Sequence, residues 1–408
     1  MHVAGERRAP ALREHNELGR AELELCAPPA TTDALLMSPS LRSALRFQES
    51  GLVLVILALA GLLSWFSGRV AMPVFESGAD GTPQRVFTTD AAGDRVPLSI
   101  EKNKFLNAQN LAQLAKDTSF IAIMAVGMSI VIIAGGIDLS VGAIYALASV
   151  VGALVLRQYG PGGAAGPQSI GIALGATAAL GTAALCGLLN GGLIVALRVH
   201  PFIITLGAMA ILRGIAFVAT KGQSIGGFPP AFRGLVRYQV GNSLSIVPLA
   251  IMLLVTAGGS LFMGRLAIGR HIYALGGNEM ATRFSGIQVG RVKLGVYLLS
   301  GLTAGVAALL SIGYYGAATS GDGQGYELNV IAAAVVGGAS LAGGKGSALG
   351  AVLGALVIQM ISSGIIILGI DQNYSQIIIG SVVIAAVVLD NLNTWLASRR
   401  LAGRVSSD

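Results

Sequence analysis

The sequence predicts an all-α, polytopic integral membrane protein of about ten transmembrane helices, with broken or re-entrant helices in its shorter apolar runs. Three observations predict it. Of 408 residues, 53% are hydrophobic and only 12% charged, against about a quarter charged in a soluble domain. Whole windows of about 20 residues carry no charge, the length that crosses a bilayer at about 1.5 Å rise per residue. Between these windows lies one basic, Gly-studded segment, 264–293, in which Arg265, Arg270, Arg283, Arg291 and Lys293 oppose a single acid, Glu279. The positive-inside tendency places that loop on the cytoplasmic side and orients everything else.

Residues 1–47 are polar and of mixed charge, contain Pro28, Pro29 and Pro39, and sustain no apolar face, so they read as a disordered cytoplasmic extension. Met37 stands shortly before the first span and offers an alternative start of translation. The transmembrane domain is expected over 48–396. Its first apolar run, 51–67, leads into a hydrophilic stretch, 68–118, whose charges nearly balance and which is expected outside the membrane as a loop. Apolar runs follow at 119–134, 140–156, 169–197, 201–219, 244–263, 294–316, 328–342, 347–368 and 375–396. Walking outward from 264–293 puts Arg198, Lys345 and the tail 397–408, with Arg399, Arg400 and Arg404, on the cytoplasmic side together with the N-terminus. The short runs 119–134 and 328–342 are the candidates for broken or re-entrant helices, which need protein or a water-filled cavity over their backbone. Two segments, 135–142 (GGIDLSVG) and 337–344 (GGASLAGG), share the pattern GGxxLxxG about half a chain apart, which suggests an internal structural repeat. The topology gives both copies the same orientation, which gives no support to an inverted repeat.

Several function classes are excluded. A net charge of +7 spread over loops and tails reads as topology control and not as a nucleic-acid surface. His2, His15, His200 and His271 are dispersed, and Cys26 and Cys186 have neither metal-ligand nor disulfide-framework spacing, so neither a metal site nor a catalytic centre is expected. The segment 338–345, GASLAGGK, misses the phosphate-loop pattern by one position, and Gly346 stands where Ser or Thr would bind magnesium. A tight Gly-rich turn between two spans is the better reading, and no cofactor is expected on this chain.

The few polar residues in or beside spans matter more, since a charge at mid-bilayer costs at least about 2.5 kcal/mol. Asp138 or Ser140 is expected to cap the helix that starts at Val141; the alternative is a substrate or gate role. Asn190, Thr205, Gln359, Ser362 and Ser363 either bond a hydroxylated solute or tie neighbouring helices together. Asp138, Ser140, Asn190, Thr205, Gln359 and Ser362 are therefore the candidate pathway or gate residues. No relay of Asp, Glu, Lys or His runs through the spans, which argues against an ion-coupled secondary transporter of a small neutral solute, the alternative function. On the outer side, Tyr314, Tyr315 and the loop 321–327 can meet an entering solute or a receptor, or form a plain loop in which Glu327 caps the next span.

Within 264–293, residues 278–284 carry a short helical pattern and 285–287 a break, a helix-turn that can be presented to a soluble partner. Here GRHIYALGGNEMATRFSGIQVGRVKLGVYLLSGLTAG (269–305) resembles the coupling region of the permease subunits of bacterial monosaccharide-type ABC importers, the ribose and xylose group. It is a variant of the Glu-Ala-Ala…Gly loop that binds the ATPase, with Glu279, Ala281 and Gly286 at the corresponding places, Met280 replacing an Ala and one extra residue before the Gly. Three further stretches, 121–147 (IAIMAVGMSIVIIAGGIDLSVGAIYAL), 199–218 (VHPFIITLGAMAILRGIAFV) and 325–359 (GYELNVIAAAVVGGASLAGGKGSALGAVLGALVIQ), extend the resemblance over roughly 105–396. It implies an ATPase-coupling loop formed by Gly276, Gly277, Asn278, Glu279, Ala281, Arg283 and Gly286. It also implies a second permease subunit, ABC ATPase subunits that bind ATP and magnesium, and a periplasmic solute-binding protein, all around a bilayer-embedded chain with no catalysis of its own. The extension 1–47 and an insertion at 73–103 depart from the family pattern.

Overall fold

The computed structural model describes residues 39–77, 83–90, 93–163, 166–240, 244–385 and 387–388. The expected extension 1–47 lies mostly outside the described residues, as do the tail 397–408 and the end of the run 375–396. Thirteen helices are named in chain order: α1 Pro39–Phe66, α2 Ala108–Ile133, α3 Val141–Gln158, α4 Gln168–Leu197, α5 Pro201–Thr220, α6 Pro230–Val236, α7 Ile246–Arg265, α8 Ala267–Gly277, α9 Glu279–Phe284, α10 Val289–Tyr315, α11 Tyr326–Val336, α12 Ala348–Ile367 and α13 Tyr374–Ala385. Seven of the described helices are long and apolar enough to cross a membrane: α2, α3, α4, α5, α7, α10 and α12. The apolar part of α1 (50–66), α11 and α13 are shorter.

The hydrophilic stretch 68–118 differs from a plain loop. Its first part folds into a β arm, β1 Arg69–Pro73, β2 Phe75–Ser77, β3 Pro83–Arg85, β4 Phe87–Thr89, β5 Arg95–Pro97 and β6 Ser99–Asn103. Strands β1 and β6 pair antiparallel as a stem, and the hairpins β2–β3 and β4–β5 branch from it. The branch point is a ring of three backbone bonds, Val74 N to Leu98 O at 2.9 Å, Val86 N to Val74 O at 3.0 Å and Leu98 N to Val86 O at 2.8 Å. Alternation in β1 and the exposed Phe75 and Phe87 give too weak a hydropathy signal for an arm of such short strands. At the base, Asn103 donates to Ser64 O at 2.7 Å and accepts from the backbone N–H of Phe105 and Leu106, both at 2.9 Å, anchoring the arm to the end of α1.

The rest of 68–118 corrects a span. The run 119–134, expected to be short or broken, is the second half of the continuous 26-residue α2, whose polar start hid it from hydropathy. Asn107 caps α2 by accepting from Asn110 N at 2.8 Å. This helix is the centre of the bundle: Ile123, Met124, Ala125 and Met128 are wholly buried, and α4, α10 and α12 enclose it and α3. The run 328–342 does break as expected. Its helix, α11, has 11 residues, about 16 Å, and stops at Gly337, too short to cross a hydrocarbon core of about 30 Å.

Close backbone approach fixes α4 against α10. A Cβ at Gly301 would overlap the carbonyl oxygen of Ala183, and one at Gly187 would overlap that of Tyr297. In a bilayer, where apolar surface gains nothing by leaving lipid, such small-residue contacts and the dispersion they permit hold spans together. Facing outward, α5 and α7 expose Ile203, Ile211, Val218, Leu253 and Leu254. Gly301→Leu is therefore expected to lower the melting temperature of the detergent-solubilised protein, with an overpacking cost of about 1–3 kcal/mol. The control is Gly181→Leu: nothing lies within 4 Å of a Cβ there, and melting should stay unchanged.

Candidate functional site

The segment 264–293 folds as a sequence of caps and breaks. Helix α8 runs out at Gly276 and Gly277, and Asn278 starts α9 by accepting the N–H of Ala281 at 3.0 Å on its side chain. Helix α9 spans the residues expected to be helical, and the break falls at Gly286, whose φ of +84° lies in the left-handed region that favours glycine. Glu279, in the first turn of α9, receives Lys293 Nζ at 2.9 and 3.0 Å, with Arg283 at 3.5 Å. Met280 and Phe284 project outward at 67% and 84% exposure, large apolar groups without cover from this chain.

Behind that face, α8 is joined to two turns by contacts too short for side chains. A Cβ at Gly276 would overlap the carbonyl oxygen of Ile133, the last residue of α2. The same Ile133 oxygen accepts Gly344 N at 2.9 Å from the Gly-rich turn between α11 and α12. Tyr273, on α8, donates its hydroxyl to Gly346 O at 2.8 Å; burial pushes this phenol above its ordinary pKa and keeps it a neutral donor. The two GGxxLxxG segments thus lie side by side, both against Gly276. A cavity of about 740 Å³ opens between these elements and α10, lined among others by Gly135, Arg198, His200, Glu279, Lys293 and Tyr297.

From Gly135 and Gly136 the chain turns into a buried polar cluster. Asp138 is wholly inaccessible and accepts Ser140 N at 3.0 Å, Ser140 Oγ at 2.6 Å and Ser300 Oγ at 2.8 Å. Asn190 of α4 donates to Ser140 Oγ at 2.7 Å, and Thr205 of α5 donates to Ile137 O at 3.3 Å and to Pro201 O at 3.0 Å. Four helices, α3, α4, α5 and α10, are tied to one turn by these bonds, each satisfying a group that would otherwise be buried alone. The expected helix cap is absent: Ser140 occupies the N-cap of α3 without a side-chain cap bond, because Asp138 and Asn190 engage its hydroxyl.

Of the six candidate pathway or gate residues, Asp138, Ser140, Asn190 and Thr205 come together. Gln359 and Ser362 stand apart on α12, where Ser362 Oγ donates to Ile358 O of its own helix at 3.1 Å. Sequence reasoning missed Ser300, and also Tyr297, whose hydroxyl packs against Gly136. Their signal was present as spacing: residues 297, 300, 301 and 304 form one buried stripe of α10 at helical period. Two cations within span helices were also missed, Lys116 in α2 and Arg213 in α5, the latter donating to Ser320 O at 3.0 Å and Asp322 O at 2.6 Å. Glu327 accepts Gly325 N at 3.2 Å at the start of α11, in keeping with the capping role considered for it.

A family model described as the branched-chain amino acid transport system / permease component matches residues 110–387. The chain belongs to this family. The permease is similar to the ribose import permease protein of Escherichia coli K12, 39% identical over 289 residues that cover 70% of this chain and 87% of the relative. It is 38% identical over 298 residues to the D-allose transport system permease protein of the same organism, covering 72% and 87%. To the fructose import permease protein of Rhizobium meliloti it is 31% identical over 293 residues, covering 70% and 79%. No solved structure matches the chain. The polar turn, the Gly-rich turn and the α8–α9 face all fall inside the matched region, whereas the β arm falls before it. The permease is a multi-pass membrane protein.

Asp138→Ala is expected to destabilise the permease by about 1.5–3 kcal/mol, the range for hydrogen bonds to a charged acceptor. Ser300→Ala should add little on that background, and a double-mutant cycle in detergent unfolding should return a coupling of about 0.5–3 kcal/mol. Additive losses would show that Ser300 does not act through Asp138.

Proposed function

We propose that this permease is the membrane-spanning subunit of an ATP-driven importer of a monosaccharide or sugar-like solute across the bacterial inner membrane. The observation that carries the reading is the α8–α9 face: a capped short helix with Met280 and Phe284 exposed, joined through Gly276 to the end of α2 and to the Gly-rich turn between α11 and α12. Such a face suits a soluble ATPase. The names of the relatives, which import ribose, allose and fructose, support a sugar as cargo. The partners are a second permease subunit, ABC ATPase subunits holding ATP and magnesium, and a solute-binding protein on the opposite side. About ten crossings, counting α1, α11 together with the Gly-rich turn that carries the chain on to Gly276, and the run from α13, leave both termini cytoplasmic.

Mechanistically, a push on α9 is delivered at Gly276 to the Ile133 carbonyl and the Gly343–Gly344 backbone, where rigid contacts leave no side chain to absorb it. The turn 134–140 carries it to Asp138, and the bonds to Ser300 and Asn190 distribute it to α10 and α4. Gly276, Gly277, Asn278, Glu279, Ala281, Arg283 and Gly286 are the coupling elements in this scheme. Asp138, Ser140, Asn190 and Thr205 act as the hinge behind them, with Gln359 and Ser362 on α12 as candidate pathway residues. An ion-coupled mechanism is disfavoured because the Asp138 carboxylate is already engaged by Ser140 and Ser300.

Charge reversal separates docking from folding. Glu279→Arg should abolish co-purification of the ATPase and ATP-dependent uptake while leaving membrane insertion intact, and Gly286→Trp should do the same. The swap Glu279→Lys with Lys293→Glu restores the internal pair, worth only about 0.2–1 kcal/mol at such exposure. It should still fail to recover the ATPase. Recovery by the swapped protein would mean that Glu279 serves only its pair with Lys293 between α9 and α10.

A further inference from the structure

At the Tyr315 end of α10, opposite the coupling face, an ammonium group is buried where none was expected. Lys116 is 2% exposed, and its Nζ lies 4.3 Å from the Tyr314 ring centroid and 5.0 Å from that of Tyr315. It pairs with Asp117 at 2.8 Å and meets the Tyr315 hydroxyl at 3.3 Å. Arg237 approaches the Tyr314 ring at 5.3 Å, and the Tyr315 hydroxyl donates to Asp117 Oδ1 at 3.2 Å. Burying a charge costs several kcal/mol unless pairing and aromatic contact offset it, so Lys116 is an expensive way merely to fill space. Its effect is to lock two rings and a carboxylate into one arrangement.

What the arrangement leaves open is specific. Tyr315 as a residue is 51% exposed. Asp117 has about four acceptor positions; Lys116 and Tyr315 occupy Oδ1 and Gln113 Nε2 occupies one on Oδ2 at 3.0 Å, leaving one free. Lys116 is neutralised by its pair with Asp117, while Arg237 repels a cationic ligand and Asp117 an anionic one, so neither sign of charge meets an unopposed partner. A purely apolar ligand would strip water from a carboxylate without replacing it. The remaining class is neutral, with one apolar C–H face for the ring and hydroxyl donors along its edge.

We propose that Tyr315 and Asp117 form a stacking subsite for a neutral ring-form monosaccharide at the end of the bundle opposite the coupling face, with Lys116, Tyr314 and Arg237 as positioning residues. The proposal rests on the importer reading and assigns it an entry point. The full-length protein in nanodiscs, carrying Tyr315→Trp, is titrated with D-ribose, D-allose and D-fructose, with acyclic D-sorbitol as control and the unsubstituted protein as background. A saturable change in indole emission with a ring sugar and none with sorbitol is expected, weakened about fivefold to tenfold when Asp117→Ala is added. A flat or non-saturating response to all three sugars overturns the subsite, as does an equal response to sorbitol. A parallel uptake assay, with ATPase and receptor reconstituted, keeps the two readings apart. ATP-dependent uptake with the same half-saturating concentration in Tyr315→Ser overturns the subsite alone. Uptake that needs no ATPase overturns the importer reading. A rise in that concentration with little change in maximal rate supports the subsite, and Lys116→Met, which frees the rings without removing them, should give a smaller rise.

Discussion

The carbonyl oxygen of Ile133 accepts the amide of Gly344 at 2.9 Å while the backbone of Gly276 presses against it, so three segments distant in sequence meet at one atom. Helix ends inside a membrane protein must find partners for their last carbonyls, because lipid offers none. Here the partner is another helix connection, and the requirement becomes architecture: α2 cannot shift along its axis without drawing the α11–α12 turn and α8 with it. Helix α2, buried without interruption from Thr118 to Ile133, in turn fixes where α3 begins and hence where Asp138 sits. Each glycine at the junction is constrained by proximity, and the rigidity comes from the absence of side chains that could yield.

Polar cohesion and apolar cohesion divide the bundle. Between α4 and α10, Gly187 and Gly301 bring backbones together and dispersion does the joining. Around the Asp138 turn the helices are held by hydrogen bonds to a carboxylate, directional and intolerant of partial opening. A movement of the turn therefore has to be shared by α4 and α10, since each is bonded to it and packed on the other.

The spans that sequence made legible were those with uninterrupted apolar runs, such as α4, α5, α7 and α12. Hydropathy shortens α2 because Asn110, Gln113, Lys116 and Asp117 dilute its first turns, although each of these side chains has a partner within the fold. The break at α11 and the helix at α9 were legible from glycine and cap chemistry, which act locally. The convergence of Asp138, Ser140 and Asn190 was not, since Ser300 enters from 162 residues away and nothing local marks it. The same holds for the Lys116 cluster, whose Tyr315 partner is 199 residues off in sequence. The β arm escaped notice for a different reason: strands of three to five residues carry too few alternations to stand out from a polar loop.

That arm closes on itself. Lys104 N donates to Gly68 O at 3.1 Å, and the stem runs in register from Arg69 opposite Asn103 to Pro73 opposite Ser99. The chain thus returns to the point from which it departed, and the gap that α1 and α2 must bridge is set by the stem alone. Loop-closure entropy grows only slowly with what lies beyond such a stem. Geometrically the arm behaves as a cassette, exchangeable for a longer or shorter insert at the same seam, which makes the ring of Val74, Val86 and Leu98 a natural graft point for a label or a rigid fiducial on the side of the protein opposite the coupling face.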